Sequence, residues 1–211
     1  MRGILFSQME PPEEWEADFL RWYDTDHIPR RLALPGFEAA TRYRAVEGEP
    51  KFLAVYELSD MGVLETPEYE AIKRDPSAET KRMLSHVKIS TCCACEEISD
   101  SGDPGRRGGY LAVVAFTVPP EDLGQFDDWY ETEHAPMLLK AGDWLRVRRY
   151  RAAPGEGGGW NQFALHELAS LEVMASPERA AARKGPKREA LLDRPWYNRS
   201  GRWQYQVIGR D

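Results

Sequence analysis

Apolar and polar positions along this chain run through the same order of patterns twice. Gly3 to Met9 is an apolar run that predicts a strand, and Pro12, Glu13 and Glu14 open a helix whose first turn favours acids. The spacing carries this helix to about His27; Pro29 then ends it or starts a short second segment, and Leu34-Pro35-Gly36 is a turn. Ala39 to Ala45 and Lys51 to Leu58 alternate about a Glu47-Gly48-Glu49-Pro50 turn, which suits an antiparallel pair. Thr66-Pro67-Glu68 offers a hydroxyl cap and a proline at the first helical position, so a second helix starts there, and Val87 to Ile98 closes the series as a fourth strand.

The second half repeats the first. Phe19-x-x-Trp22-Tyr23-Asp24-Thr25-Asp26-His27-Ile28-Pro29 returns 107 residues later as Phe126-x-x-Trp129-Tyr130-Glu131-Thr132-Glu133-His134-Ala135-Pro136, and Arg42-Tyr43-Arg44-Ala45 returns in the same register as Arg149-Tyr150-Arg151-Ala152. After a longer Gly-rich turn, Pro154 to Gly159, the offset becomes 110: Glu57-Leu58 matches Glu167-Leu168, and Thr66-Pro67-Glu68 matches Ser176-Pro177-Glu178. The second set of strands is expected at Tyr110 to Val118, Leu145 to Ala152, Trp160 to Leu168 and Trp203 to Ile208, with helices at about Leu123 to Lys140 and Pro177 to Asp193. Ser99 to Gly109, small, polar and rich in breakers, reads as the linker between a first unit over residues 1–103 and a second over residues 108–211. Each unit is therefore an α+β, ferredoxin-like βαββαβ element whose two helices cover one sheet face. The bare faces are expected to cover each other, giving a barrel-like core with the helices outside.

The formal charge is −7, and no basic stripe interleaved with aromatics opposes it, so nucleic acid is set aside as a partner. The charge is uneven: residues 1–105 carry 12 basic and 21 acidic side chains, net −9, and residues 106–211 carry 16 and 14, net +2. No apolar run is long enough for a membrane span and the first residues lack a signal-peptide core, which leads to the expectation of a soluble, cytoplasmic protein without a membrane partner. All three cysteines lie in Thr91-Cys92-Cys93-Ala94-Cys95, an odd cluster in a strand, better suited to reduced core thiols than to a disulfide framework. Seven Trp, nine Tyr and seven Phe suffice to line an apolar cavity as well as a core.

The Trp-Tyr-acid-x-x-His-x-Pro helix followed by Leu34-Pro35-Gly36-Phe37 resembles the EthD-like branch of the dimeric α/β-barrel superfamily, over nearly the whole chain, twice. The resemblance implies an intramolecular pseudo-dimer of the barrel type, with a homodimer of that chain as a further assembly. It also implies a ligand cleft in each unit between helices and sheet, with the helix histidine at its mouth. Proteins of this superfamily include cofactor-independent isomerases, polyketide cyclases, lyases, quinone-forming monooxygenases and haem-degrading enzymes, so the fold does not select a reaction. The second copy departs from the pattern at Lys140-Ala-Gly-Asp-Trp144, which favours the first copy as the more active.

At about 100° per residue, Phe19, Trp22, Tyr23, Asp26 and His27 share one helix face, with Asp24 within reach of His27. A carboxylate or phenol beside an imidazole tunes it for proton transfer, so Tyr23, Asp24 and His27, and their counterparts Tyr130, Glu131 and His134, are the catalytic candidates. Trp22 and Trp129 either line a substrate or pack. Tyr56 matches His166 in the third strand, so the two clefts differ in a polar group; Arg42 and Arg149 either hold a substrate carboxylate or pair with acids, and His86 is a weaker candidate. The four histidines show no metal-ligand spacing, and no phosphate loop or nucleophile elbow appears, so no metal or cofactor is expected. The leading expectation is a lyase, isomerase or cyclase acting on a small hydrophobic, aromatic or polyketide-like molecule. A cofactor-free monooxygenase of an electron-rich phenol and a non-catalytic binding protein are the alternatives.

Overall fold

The computed structural model describes all residues, Met1–Asp211. The chain divides into two compact units: residues 1–96 with 156–158 and 207–211, and residues 97–155 with 159–206. The first half of the chain forms strands β1 (Gly3–Glu10), β2 (Phe37–Ala45), β3 (Phe52–Leu58) and β4 (Lys88–Gly102, whose last residues belong to the second unit) with helices α1 (Glu16–Trp22), α2 (Ile28–Leu32), α3 (Pro67–Arg74) and α4 (Ala78–Leu84). The second unit repeats the set with β5 (Tyr110–Phe116), β6 (Trp144–Ala152), β7 (Gln162–Leu168) and β8 (Gly201–Arg210), and α5 (Leu123–Trp129), α6 (Ala135–Leu138), α7 (Pro177–Ala182) and α8 (Pro186–Glu189). Within each unit the antiparallel pairs are β1 with β3 and β4, β2 with β3, and correspondingly β5 with β7 and β8, and β6 with β7. The eight strands follow the hydrogen-bonded order β1-β3-β2-β8-β5-β7-β6-β4, a closed antiparallel barrel, as tandem ferredoxin-like units predict. No helix is long and apolar enough to cross a membrane.

Each unit buries a core between its helices and one sheet face. Phe19, Trp22, Ile28, Phe37, Tyr56 and Met83 form the first; Phe126, Trp129, Tyr130, Leu138, Trp144 and Trp196 belong to the second. Aromatic edges meet faces within both, as between Phe19 and Tyr23 (4.9 Å) and between Phe126 and Tyr130 (5.3 Å), so the motif's rings are packing elements as well as site candidates.

Three sequence expectations are corrected here. The presumed linker begins too early, because β4 runs to Gly102: Asp103 donates its N–H to the Leu145 carbonyl and Arg146 forks onto Asp100 (2.7 and 2.5 Å), so polar residues serve as strand. The long helix expected over Leu123 to Lys140 is interrupted, as is its counterpart, by a turn of π-helix. The helix expected over Pro177 to Asp193 breaks before Pro186, whose preceding residue is held extended.

The π-turns span Tyr23–His27 and Tyr130–His134, with the N–H of Ile28 bonding the Tyr23 carbonyl and that of Ala135 the Tyr130 carbonyl, five residues back. Local chemistry accounts for both. Pro29 and Pro136 supply no N–H and their rings crowd the carbonyl four residues earlier, which belongs to Thr25 and Thr132. Each threonine hydroxyl in turn bonds the carbonyl four residues before it, Arg21 at 2.8 Å and Asp128 at 2.6 Å, and such back-bonding bends helices.

Candidate active site

The extra residue in each π-turn sets where the histidine points. His27 lies over Trp22 (ring centroids 4.1 Å apart) and against Tyr23 (4.9 Å), and His134 takes the same places over Trp129 (4.6 Å) and Tyr130 (5.0 Å). The motif's acids do not join them, which corrects the expected carboxylate–imidazole pairs. Asp24 ion-pairs with Arg42, and Glu131 accepts from Arg149 and from Ser99 (2.6 Å each). Arg149 is 1% exposed, also binds Asp127 (2.5 Å), and lies 4.8 Å from the centre of the Tyr130 ring. Arg42 and Arg149 are therefore braces for the helix and are not free to hold a substrate. The second acid of each motif anchors the later helix: Asp26 accepts from Ser77 and Thr80 (2.8 Å each), and Glu133 accepts from the N–H groups of Lys187 and Arg188 (3.0 Å each). Thr80 also accepts from the indole of Trp22 (2.9 Å). His86 is remote from both motifs; it stacks on Trp15 at 3.6 Å and bonds the Arg82 carbonyl.

A cavity of about 430 Å³ opens in the second unit. Its floor is buried and aromatic, with Phe116, Trp129, Tyr130, Trp144 and His166, and His134 stands in its wall. A β-bulge between Trp144 and Arg146 shifts the register at the start of β6, the device by which a strand re-aims a side chain. The Trp144 indole N–H reaches His166 Nδ1 at 3.2 Å, and the Tyr130 hydroxyl lies 3.4 Å from His166 Nε2. An indole can only donate, so Nδ1 of His166 accepts, and the neutral ring carries its proton on Nε2. That proton points at the Tyr130 oxygen and leaves the phenol hydrogen free to donate elsewhere. Burial, with His134, Arg202 and Arg179 nearby, lowers the His166 pKa to about 3. Burial likewise raises the Tyr130 phenol well above its usual value, so it stays protonated. His134 is lowered to about 3, mainly by burial, and its Nδ1 is buried without a partner. The second cavity is therefore lined by a protonated phenol and a neutral imidazole, the latter hydrogen-bonded to the Ala182 backbone.

The first unit differs at the equivalent positions. Arg31 stands where the second has Leu138, Tyr56 where it has His166, and Tyr69 where it has Arg179. Arg31 donates to His27 Nδ1 (3.0 Å) and lies 5.6 Å from the centre of the Tyr56 ring, and Phe37 packs between Tyr56 (6.1 Å) and Tyr69 (5.6 Å). His27, 5% exposed, is held well below the usual imidazole range by burial and by Arg31. What remains open is a smaller cleft of about 270 Å³ over Asp26, His27, Arg30, Lys73 and Thr80. Bulky residues thus fill the first unit at the place where Trp144 and His166 line the wider cavity of the second.

Trp144 and four rim arginines, Arg179, Arg183, Arg188 and Arg202, were missed by sequence reasoning. Their signal was present as differences between the copies: Phe37, Tyr69, Lys73, Thr80 and Cys92 occupy the matching positions. No cluster of three or more His, Cys, Asp or Glu side chains converges as a metal site, and the three cysteines are free thiols.

The chain matches no protein-family model and no curated protein sequence. It is similar in structure to an anthrone oxidase-like protein (TM-score 0.68, 14% identity, covering 100% of this chain and 92% of that one). A candidate monooxygenase from Fusobacterium nucleatum subsp. nucleatum matches with TM-score 0.62 and 9% identity over 100% and 94% of the two chains. A mutant chlorite dismutase from Candidatus Nitrospira defluvii matches with TM-score 0.65 and 10% identity over 99% and 91%. At these identities the likeness defines the fold, which is that of the dimeric α/β barrels.

Proposed function

We propose that the second-unit cavity is the reaction chamber of a cofactor-independent acid/base enzyme acting on a small aromatic or polyketide-like molecule. The observation that carries this reading is the Trp144–His166–Tyr130 relay in a cavity whose wall includes the neutral imidazole of His134. His134 removes a proton from an activated C–H or phenol O–H, and the Tyr130 hydroxyl donates to the oxygen on which charge develops. The relay keeps that donor aimed, because His166 is locked in one tautomer by an indole that cannot accept. A proton returned at a different atom gives an isomerase or cyclase outcome, and loss of a leaving group gives a lyase. The shape of the chamber, aromatic below and polar above, suits such substrates. The motif's likeness to EthD-like proteins is consistent with this chemistry and adds no residue to it.

A second reading keeps the same first step. If the anion formed from an electron-rich phenol reacts with oxygen, the enzyme is a cofactor-free monooxygenase, a reading favoured by the similar structures described as anthrone oxidase-like and as a candidate monooxygenase. One experiment tests both. Aromatic ketones and phenols incubated with the protein in D2O should gain deuterium at their acidic carbon, and a Tyr130→Phe, His134→Gln protein should leave them unlabelled. Oxygen consumed in step with substrate selects the second reading, and labelling that persists in the double variant sinks the proton-transfer reading.

A further inference from the structure

The four arginines around the second cavity have no acidic partners. Arg179 donates to the Met174 carbonyl and Arg188 to the Arg183 carbonyl (2.6 Å each), while Arg202 donates to the Ser200 hydroxyl (3.0 Å). None of the four forms an ion pair, and no carboxylate lines the cavity, in a chain whose acids outnumber its bases 35 to 28. Elsewhere acids are drawn onto arginines even at buried positions, as Asp127 and Glu131 are onto Arg149. Four like charges gathered without counter-charge repel one another, which costs stability unless an anion enters. Arg183 and Arg202 are exposed and Arg179 and Arg188 half-buried, so the charges form the rim above the buried aromatic floor. The first unit has no such ring, having Tyr69, Thr80 and Cys92 where the second has Arg179, Arg188 and Arg202, and in place of Arg183 a lysine, Lys73, that is paired with Glu70.

We propose that the molecule taken up by the second cavity is an anionic aromatic compound, its ring on the Trp129–Trp144 floor and its acidic oxygens on the arginine rim. This rests on the reading of that cavity as the reaction chamber and names the class of its substrate. A carboxylate or a phosphate ester satisfies the shared chemistry, because a guanidinium presents two parallel donors to either. The anion also assists the reaction. Arg179, Arg188 and Arg202 all disfavour protonation of His134, so an anion that neutralises them makes His134 a stronger base once substrate is bound.

The full chain should be titrated by calorimetry with 2-naphthol, 2-naphthoate and 2-naphthyl phosphate at low and moderate salt. At least one anion should bind about tenfold or more tightly than the neutral naphthol and weaken as salt rises. Which anion binds better identifies the source of the acidic oxygens. Arg179→Gln and Arg202→Gln should each lose about tenfold in affinity for the anion and change the naphthol little, and Arg30→Gln in the first unit should change neither. Thermal melts keep folding out of the comparison. Equal affinity for naphthol and both anions, no anion binding up to millimolar concentration, or rim variants with unchanged affinity would overturn the proposal. Anion binding through the rim in a protein that exchanges no deuterium overturns the acid/base reading instead, and exchange confined to neutral aromatics does the converse.

Discussion

His134→Gln should lower kcat by about 10²- to 10⁴-fold, the usual range for losing a general acid or base, while His27→Gln keeps kcat within about threefold. The contrast follows from what each ring touches. His134 stands in the wall of a chamber of about 430 Å³, whereas Nδ1 of His27 is already taken by Arg31. Tyr130→Phe should reduce kcat more than it raises KM, because the phenol hydrogen bond strengthens as charge develops. The kcat/KM profile should show no limb near pH 6.5, since both helix histidines are neutral in the free protein well below that value. Steady-state kinetics on the three variants check this. Equal losses in His27→Gln and His134→Gln would mean that both units work.

The second large effect is on stability. His166, 2% exposed, has a folded-state pKa of about 3 against 6.5 when unfolded. A lowered histidine pKa contributes stability that is fully present above pH 6.5 and is lost as pH falls toward 3, because the unfolded chain takes up the proton first. Over that window one such ring removes on the order of 5 kcal/mol, a large fraction of what a domain of this size possesses. His134 and His27 act in the same direction. His166→Gln retains an acceptor for Trp144 and a donor for Tyr130 without titrating, so its stability should fall about 1.4 kcal/mol less per pH unit than that of the unaltered protein between pH 6 and 4. Urea unfolding at pH 7, 6, 5 and 4 measures the difference, and parallel slopes would contradict the assignment.

How far this site could be read from the sequence depends on the residue. The repeat was visible because Trp22, Tyr23, His27 and their counterparts do the same packing work in each unit, and their spacing held at 107 and then 110 residues. The strands followed from alternation. The π-turns did not, because a five-residue bond replaces a four-residue one without altering the hydrophobic period; only the matched Thr25–Pro29 and Thr132–Pro136 pairs hint at it. The partners of Asp24, Asp26, Glu131 and Glu133 are tertiary, so proximity to histidine in sequence misassigned two of them. The +2 charge of the second half was legible, and its meaning was not: the arginines come from different elements, on α7, just beyond it, on α8 and on β8, and only the fold turns them to one cavity. The departure at Trp144 was visible but read as weakening the second cleft, and the rim, which also lies where the copies differ, went unread.

The most direct measurement is the number of anionic aromatic molecules bound per chain before and after the second unit is given the first unit's filling residues. Leu138→Arg with His166→Tyr places in the second unit the pair that occupies the first. Calorimetric titration with 2-naphthoate or 2-naphthyl phosphate should give one site in the unaltered protein and none in this double variant. Two sites per chain, or one that survives the double variant and disappears with His27→Gln, would contradict the account.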